Sequence, residues 1–178
     1  MMGGFGVRRR VLVLFLGVGA MAIAVGSAIG GAKLAGATSA EGRSITAVQT
    51  ASESVPFSTN STAFVDVPGA TATVAVPKGT TALVVIRFTA SSFCNIQLGG
   101  SCLVRARING ADASPGEVVW ARTPTYGDVD GPSAHAMDWS AGPLPPGTYA
   151  MQVQAGVQYA SGFLSFSNWH LTVERVKT

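Results

Sequence analysis

This chain of 178 residues is short of cysteine, histidine and charge, and it contains no long amphipathic helical pattern. Each shortage excludes something. A metal site built on Cys94 and Cys102 would need two further ligands, and His135 and His170 are the only histidines. No Gly-x-Ser-x-Gly elbow or comparable nucleophile motif occurs. A triad of His135 or His170 with Asp138 and a serine can be drawn, but the remaining roles of an active site have no candidates. Without a βαβ pattern, the doubly wound and barrel α/β folds are also excluded.

What is present begins with an address label. Arg8, Arg9 and Arg10 precede 22 residues without a charge, 11 to 32, and small residues then lead to Ala35-Gly36-Ala37 and Thr38-Ser39-Ala40. A positive segment, an apolar segment and a small-residue cleavage site in that order make residues 1–40 a signal peptide, cut near Ala37 or Ala40. The stretch is also long enough to span a bilayer, so an uncleaved anchor is the alternative and the chain's one route to a membrane. Arg8-Arg9-Arg10-Val11-Leu12 resembles a loose twin-arginine signal, and the export route stays open.

Removing the leader changes the electrostatics. Four of the twelve basic residues lie in it and none of the nine acidic ones do, which leaves eight against nine and a net charge of about −1. The basic isoelectric point belongs to the precursor, so nucleic acid is not an expected partner. Cys94 and Cys102, eight positions apart in an exported chain, are expected to form a structural disulfide.

Residues 41–60 are rich in Ser, Thr and Ala, hold no sustained periodicity and read as a flexible linker. Residues 61–178 form one domain's worth of chain in which apolar residues alternate between recurrent Gly and Pro signals. Ala82, Val84, Ile86 and Phe88 define the most apolar strand. Val104, Ala106 and Ile108 alternate with Arg105 and Arg107 ahead of an Asn109-Gly110 turn, and Tyr149, Met151, Val153 and Ala155 with Gln152 and Gln154. About nine such strands predict an all-β fold, an antiparallel two-sheet β-sandwich of jelly-roll type.

Phe64-Val65-Asp66-Val67-Pro68-Gly69, Val76-Pro77-Lys78-Gly79-Thr80, Pro145-Pro146-Gly147-Thr148-Tyr149 and the closing Trp169-His170-Leu171-Thr172-Val173-Glu174-Arg175 resemble small secreted β-sandwich proteins of actinobacteria. The resemblance spans Thr62 to Arg175 and implies the fold. It carries no catalytic residue to transfer.

The expected function is therefore a secreted or envelope-associated, non-catalytic binding module for carbohydrate or a cell-wall polymer. Tyr126 and Tyr159 fall in loops and offer rings to stack on sugars, whereas Trp120, Trp139 and Trp169 lie on strands and are expected in the core. Asp128 and Asp130, in the long polar loop 123–132, add hydrogen-bonding carboxylates. They supply two oxygen ligands of the kind calcium takes, but the full calcium-loop pattern is absent, so no cofactor is expected and a solvated turn is favoured. Arg105 and Arg107, with Arg87 beside them, are either a basic patch for an anionic polymer or a solvated sheet face. The alternatives to a binding module are a structural, self-assembling domain and, after it, a small hydrolase.

Overall fold

Alternation along the chain becomes two faces in the structure, a computed structural model that describes residues 44–96, 99–122 and 131–178. The leader expected at 1–40 lies outside the described residues. Ten strands follow one another: β1 (Ile45–Glu53), β2 (Phe57–Thr59), β3 (Val65–Val76), β4 (Ala82–Asn95), β5 (Ser101–Ile108), β6 (Ala111–Asp112), β7 (Val118–Arg122), β8 (Ser133–Leu144), β9 (Gly147–Val157) and β10 (Phe163–Lys177).

They form two antiparallel sheets. The first has the order β1-β10-β4-β8, with the short β2 continuing along the same edge of β10 as β1. The second runs β3-β9-β5, with β6 and β7 sharing the outer edge of β5. Setting aside β2 and β6, the orders β1-β10-β4-β8 and β3-β9-β5-β7 are those of a jelly roll, the expected fold.

The core is the layer between the sheets. On β4, Val84, Ile86 and Phe88 are fully buried, while Arg87 points to water. Phe88 sits at the centre of an aromatic cluster, with ring centroids 5.5 Å from Trp120, 5.5 Å from Phe166 and 6.0 Å from Trp169. Burying a phenylalanine contributes about 1.5–3 kcal/mol, and each such ring pair adds about 0.5–1.5 kcal/mol. All three tryptophans are in the core, as their strand positions imply. The indole N–H of Trp120 donates to Ser92 Oγ at 2.9 Å, and that of Trp139 to the Gly116 carbonyl at 2.7 Å, so neither buried donor is left unpaired.

Two sequence expectations need correction. Residues 45–53 and 57–59, read as part of a flexible linker, are strands that pair with β10 from Ile45↔Val176 to Thr59↔Leu164. They lack periodicity because β1 lies at the sheet edge with both faces largely in water. Only Ala47 and Ala51 are even half-buried, and backbone pairing holds the strand in place. Secondly, residues 162–167 and 169–176, expected from their alternation as two separate strands, are one strand, β10, broken by a bulge at Ser167–His170. Asn168 takes φ 49 there and inserts one residue. The insertion switches side-chain parity, so Leu164 and Phe166 before it and Trp169, Leu171 and Val173 after it all face the core.

Candidate functional site

The hydrogen-bond register brings four connections to one end of the sandwich. Asn95 pairs with Phe163, Cys102 with Val157, Ser101 with Arg122, Ser92 with Ser133 and Val65 with Ala155. The chain therefore enters β3, β5, β8 and β10 at this end. The expected disulfide is present. Cys94 on β4 and Cys102 on β5, with Cα atoms 6.0 Å apart, tie the first sheet to the second. Both residues are buried, so the crosslink belongs to the core and supports the loops above it.

Tyr159 stands at this end with 48% of its surface exposed, consistent with its expected place in a loop. Its position is fixed from two sides. A side-chain Cβ built at Gly100 would fall 2.9 Å from Tyr159 Cδ2, so the ring rests where only glycine leaves space. Gln158 bridges the tyrosine to the sheet: its Oε1 accepts from the Ser101 amide at 3.2 Å, and its Nε2 donates to the Tyr159 hydroxyl at 3.2 Å. The turn closes through the Gly162 amide, which donates to the Tyr159 carbonyl at 3.1 Å. An exposed ring held this way loses little freedom when a ligand lands on it.

Tyr126, Asp128 and Asp130 lie outside the described residues. The positions flanking them, Arg122 and Gly131, both border a 90 Å³ hollow with Ser92, Ala121, Ser133 and His135. Its floor is a polar relay: Ser92 Oγ, bonded to Trp120, donates to the Ser133 carbonyl at 3.4 Å, and Ser133 Oγ lies 2.6 Å from His135 Nε2. The loop carrying the three candidates therefore leaves and rejoins the sandwich at the Tyr159 end. A further aromatic residue, Phe163, is 37% exposed there, with its ring 5.6 Å from Phe93. Sequence reading missed it because the parity switch at Asn168 decides which way it points. The signal was available: Leu164 and Trp169 cannot both face inward on one unbroken strand.

The drawn triads do not form. His135 and Asp138 are three positions apart on β8 and point to opposite faces, and Asp138 is held by Arg87 through bonds of 2.8 and 3.0 Å. That contact raises the Arg87 pKa, chiefly through the hydrogen bond and then the charge of Asp138. His170 is exposed, with Nδ1 3.2 Å from Thr172 Oγ1. Among the described residues, neither histidine hydrogen-bonds a carboxylate.

The arginine patch also comes apart. Arg87 lies on the first sheet, whereas Arg105 and Arg107 lie on the second. On that second face Gln154 donates to Asp66 at 2.7 Å, and Arg105 donates to Gln154 at 2.9 Å while its guanidinium sits 4.2 Å from the centre of the Phe64 ring. Asp112 lies 3.5 Å from Arg105, and 3.2 Å from Arg107 Nε in an ion pair whose geometry falls short of a hydrogen bond. Two arginines against two aspartates give a neutral, cross-linked face.

Among the described residues, no group of three or more His, Cys, Asp or Glu side chains is placed to hold a metal ion. No helix among them is long and apolar enough to cross a membrane. The chain matches no protein-family model and no curated protein.

Proposed function

We propose that the protein is a secreted or envelope-associated, non-catalytic binding module that takes a carbohydrate or cell-wall polymer at the disulfide-bridged end of its sandwich. One observation carries this reading: Tyr159 is exposed and held in place by Gly100 and Gln158. A pyranose presents an apolar face to such a ring and hydroxyls to the polar groups around it. The segment 123–130, whose described bounds Arg122 and Gly131 lie at this end, adds Tyr126, Asp128 and Asp130 from the sequence. The buried disulfide suits an oxidising compartment, in keeping with the leader.

The test is a glycan and cell-wall-polymer screen on the protein, with and without calcium, alongside Tyr159→Ala and Tyr126→Ala. Saturable binding that Tyr159→Ala abolishes supports the reading. Dependence on calcium would assign a cation to Asp128 and Asp130. No saturable binding to any polymer would sink it.

A self-assembling structural domain is the second reading, favoured by the edge strand β1, where Ile45 and Val48 are 54% and 55% exposed. An edge with free backbone groups and apolar side chains is a template for a second chain. Sedimentation that shows a concentration-independent monomer would dismiss it.

A further inference from the structure

The first sheet is irregular where β10 bulges at Ser167–His170, and a recess lies beside that irregularity. β1 ends with Glu53 opposite Trp169, β2 resumes with Phe57 opposite Phe166, and Ser167 and Asn168 between them pair with neither strand. The gap coincides with the bulge of β10. On one side of it Val55, Pro56, Phe57, Pro68 and Gly69 line a hollow of 320 Å³. On the other, Ser52, Ser54, Asn168 and His170 bound a more open recess of 460 Å³. Both recesses share Glu53 and Trp169, so one carboxylate stands at the junction of an apolar and a polar space.

The carboxylate is held but only half used. Glu53 Oε1 accepts the amides of Ser54 at 2.8 Å and Val55 at 3.0 Å, and these bonds keep its pKa below the ordinary glutamate value. Oε2 has no hydrogen-bond partner among the described residues. Among the described residues, no lysine or arginine lines either recess, and His170 is the one other titratable side chain there. Beside it Val55 is 64% exposed, the most exposed large apolar side chain among the described residues. Gly69, at φ 75, keeps the wall thin: a Cβ there would lie 3.4 Å from the Trp169 ring.

We propose that this recess binds an alkylammonium group, with the cation on Glu53 Oε2 and the aliphatic stem along Val55, Pro56 and Phe57. A fixed, unpaired anion selects a cation, and the apolar wall selects one carried on a hydrocarbon chain. An anionic ligand would meet the ionised carboxylate with no compensating charge. The lysine side chain and a free alkylamine share this chemistry. The site lies apart from Tyr159 and does not depend on the glycan reading.

The experiment is an amide NMR titration of the whole protein with n-butylammonium chloride, with Nα-acetyl-lysine amide and with the neutral isostere 1-butanol. Both ammonium ligands should shift Ser54, Val55, Phe57 and Gly69 saturably, and 1-butanol should bind more weakly. Glu53→Gln keeps an oxygen for the two amides but loses the charge, and should weaken ammonium binding about fivefold, the upper range for an exposed ion pair. Tighter binding of the lysine derivative would point to a peptide-borne source, and tighter binding of butylammonium to a free amine. The proposal is overturned by no saturable shift with either ammonium ligand, by equal binding of butylammonium and butanol, or by unchanged affinity in Glu53→Gln with the amide spectrum otherwise intact.

Discussion

Removing the disulfide offers the sharpest test of how this sandwich is held at its disulfide-bridged end. The double variant Cys94→Ala with Cys102→Ala deletes a crosslink between residues 8 apart. In the chain-entropy treatment, a loop of that length restrains the unfolded chain by about 2.5 kcal/mol at 25 °C. Alanine is the appropriate replacement because both positions are buried, and a serine would add a hydroxyl in need of a partner. With a urea dependence of about 1.5 kcal/mol per molar for a domain of this size, the unfolding midpoint should fall by about 1.7 M. Tryptophan fluorescence is a suitable probe, since Trp120, Trp139 and Trp169 are all buried. A second readout is local. The closed loop contains Gly100, on which the Tyr159 ring rests, and Ser101, whose amide bonds Gln158. Hydrogen exchange at Ser101 should therefore accelerate more than at Val84 in the opposite half of β4. A midpoint shift below about 0.5 M would refute the loop-entropy argument, and unchanged exchange at Ser101 would separate the crosslink from the tyrosine platform.

Phe88→Ala should destabilise the fold by about 3–5 kcal/mol in the same denaturation assay, because it empties the centre of the aromatic cluster; a loss under about 2 kcal/mol would mean that Trp120 and Phe166 collapse into the space. Asn168→Val should cost about 1–2 kcal/mol, since a β-branched residue resists the positive φ of the bulge, whereas Asn168→Gly should be close to neutral; equal effects would show that the bulge does not require that conformation. Glu53 has a folded-state pKa below its unfolded value, so the contribution of its turn is present above the ordinary glutamate range and lost as pH falls through the folded pKa. The amide shifts of Ser54 and Val55 should accordingly titrate with a midpoint below 4.5, and a midpoint at or above it would contradict the hydrogen bonding. Gly100→Ala should cost about 1–3 kcal/mol by crowding Ile96 and Tyr159, and should reduce polymer binding along with Tyr159→Ala if the glycan reading holds.

Legibility differed from strand to strand for a physical reason. β4, β5 and β9 each bury one face, so Val84-Ile86-Phe88, Val104-Ala106-Ile108 and Met151-Val153-Ala155 wrote their alternation plainly. The edge strand β1 buries almost nothing, and no periodicity could announce it. Pro68-Gly69 reads locally as the end of a strand, but in the fold it is an irregularity within β3, whose pairing with β9 skips from Asp66 to Thr71. Asn168 likewise reads as a break and acts as an inserted residue inside β10. In both cases a turn signal reported backbone conformation correctly and strand continuity wrongly, because continuity depends on the neighbouring strand.

By itself, the sequence determined the all-β class, the alternation that chooses which side chains are buried, the pairing of the only two cysteines and the burial of the three tryptophans. These follow from residue type and spacing, which act over a few positions. The tertiary structure alone decided that Arg87 and Arg105 lie on opposite sheets, that Asp138 is taken by Arg87 and turned away from His135, and that Tyr159 shares one end with the bounds of the 123–130 loop. It also decided that Glu53 and Trp169 meet at a recess. Those are relations between strands far apart in the chain, set by the order β1-β10-β4-β8 against β3-β9-β5-β7, and no local pattern encodes which strand will lie beside which.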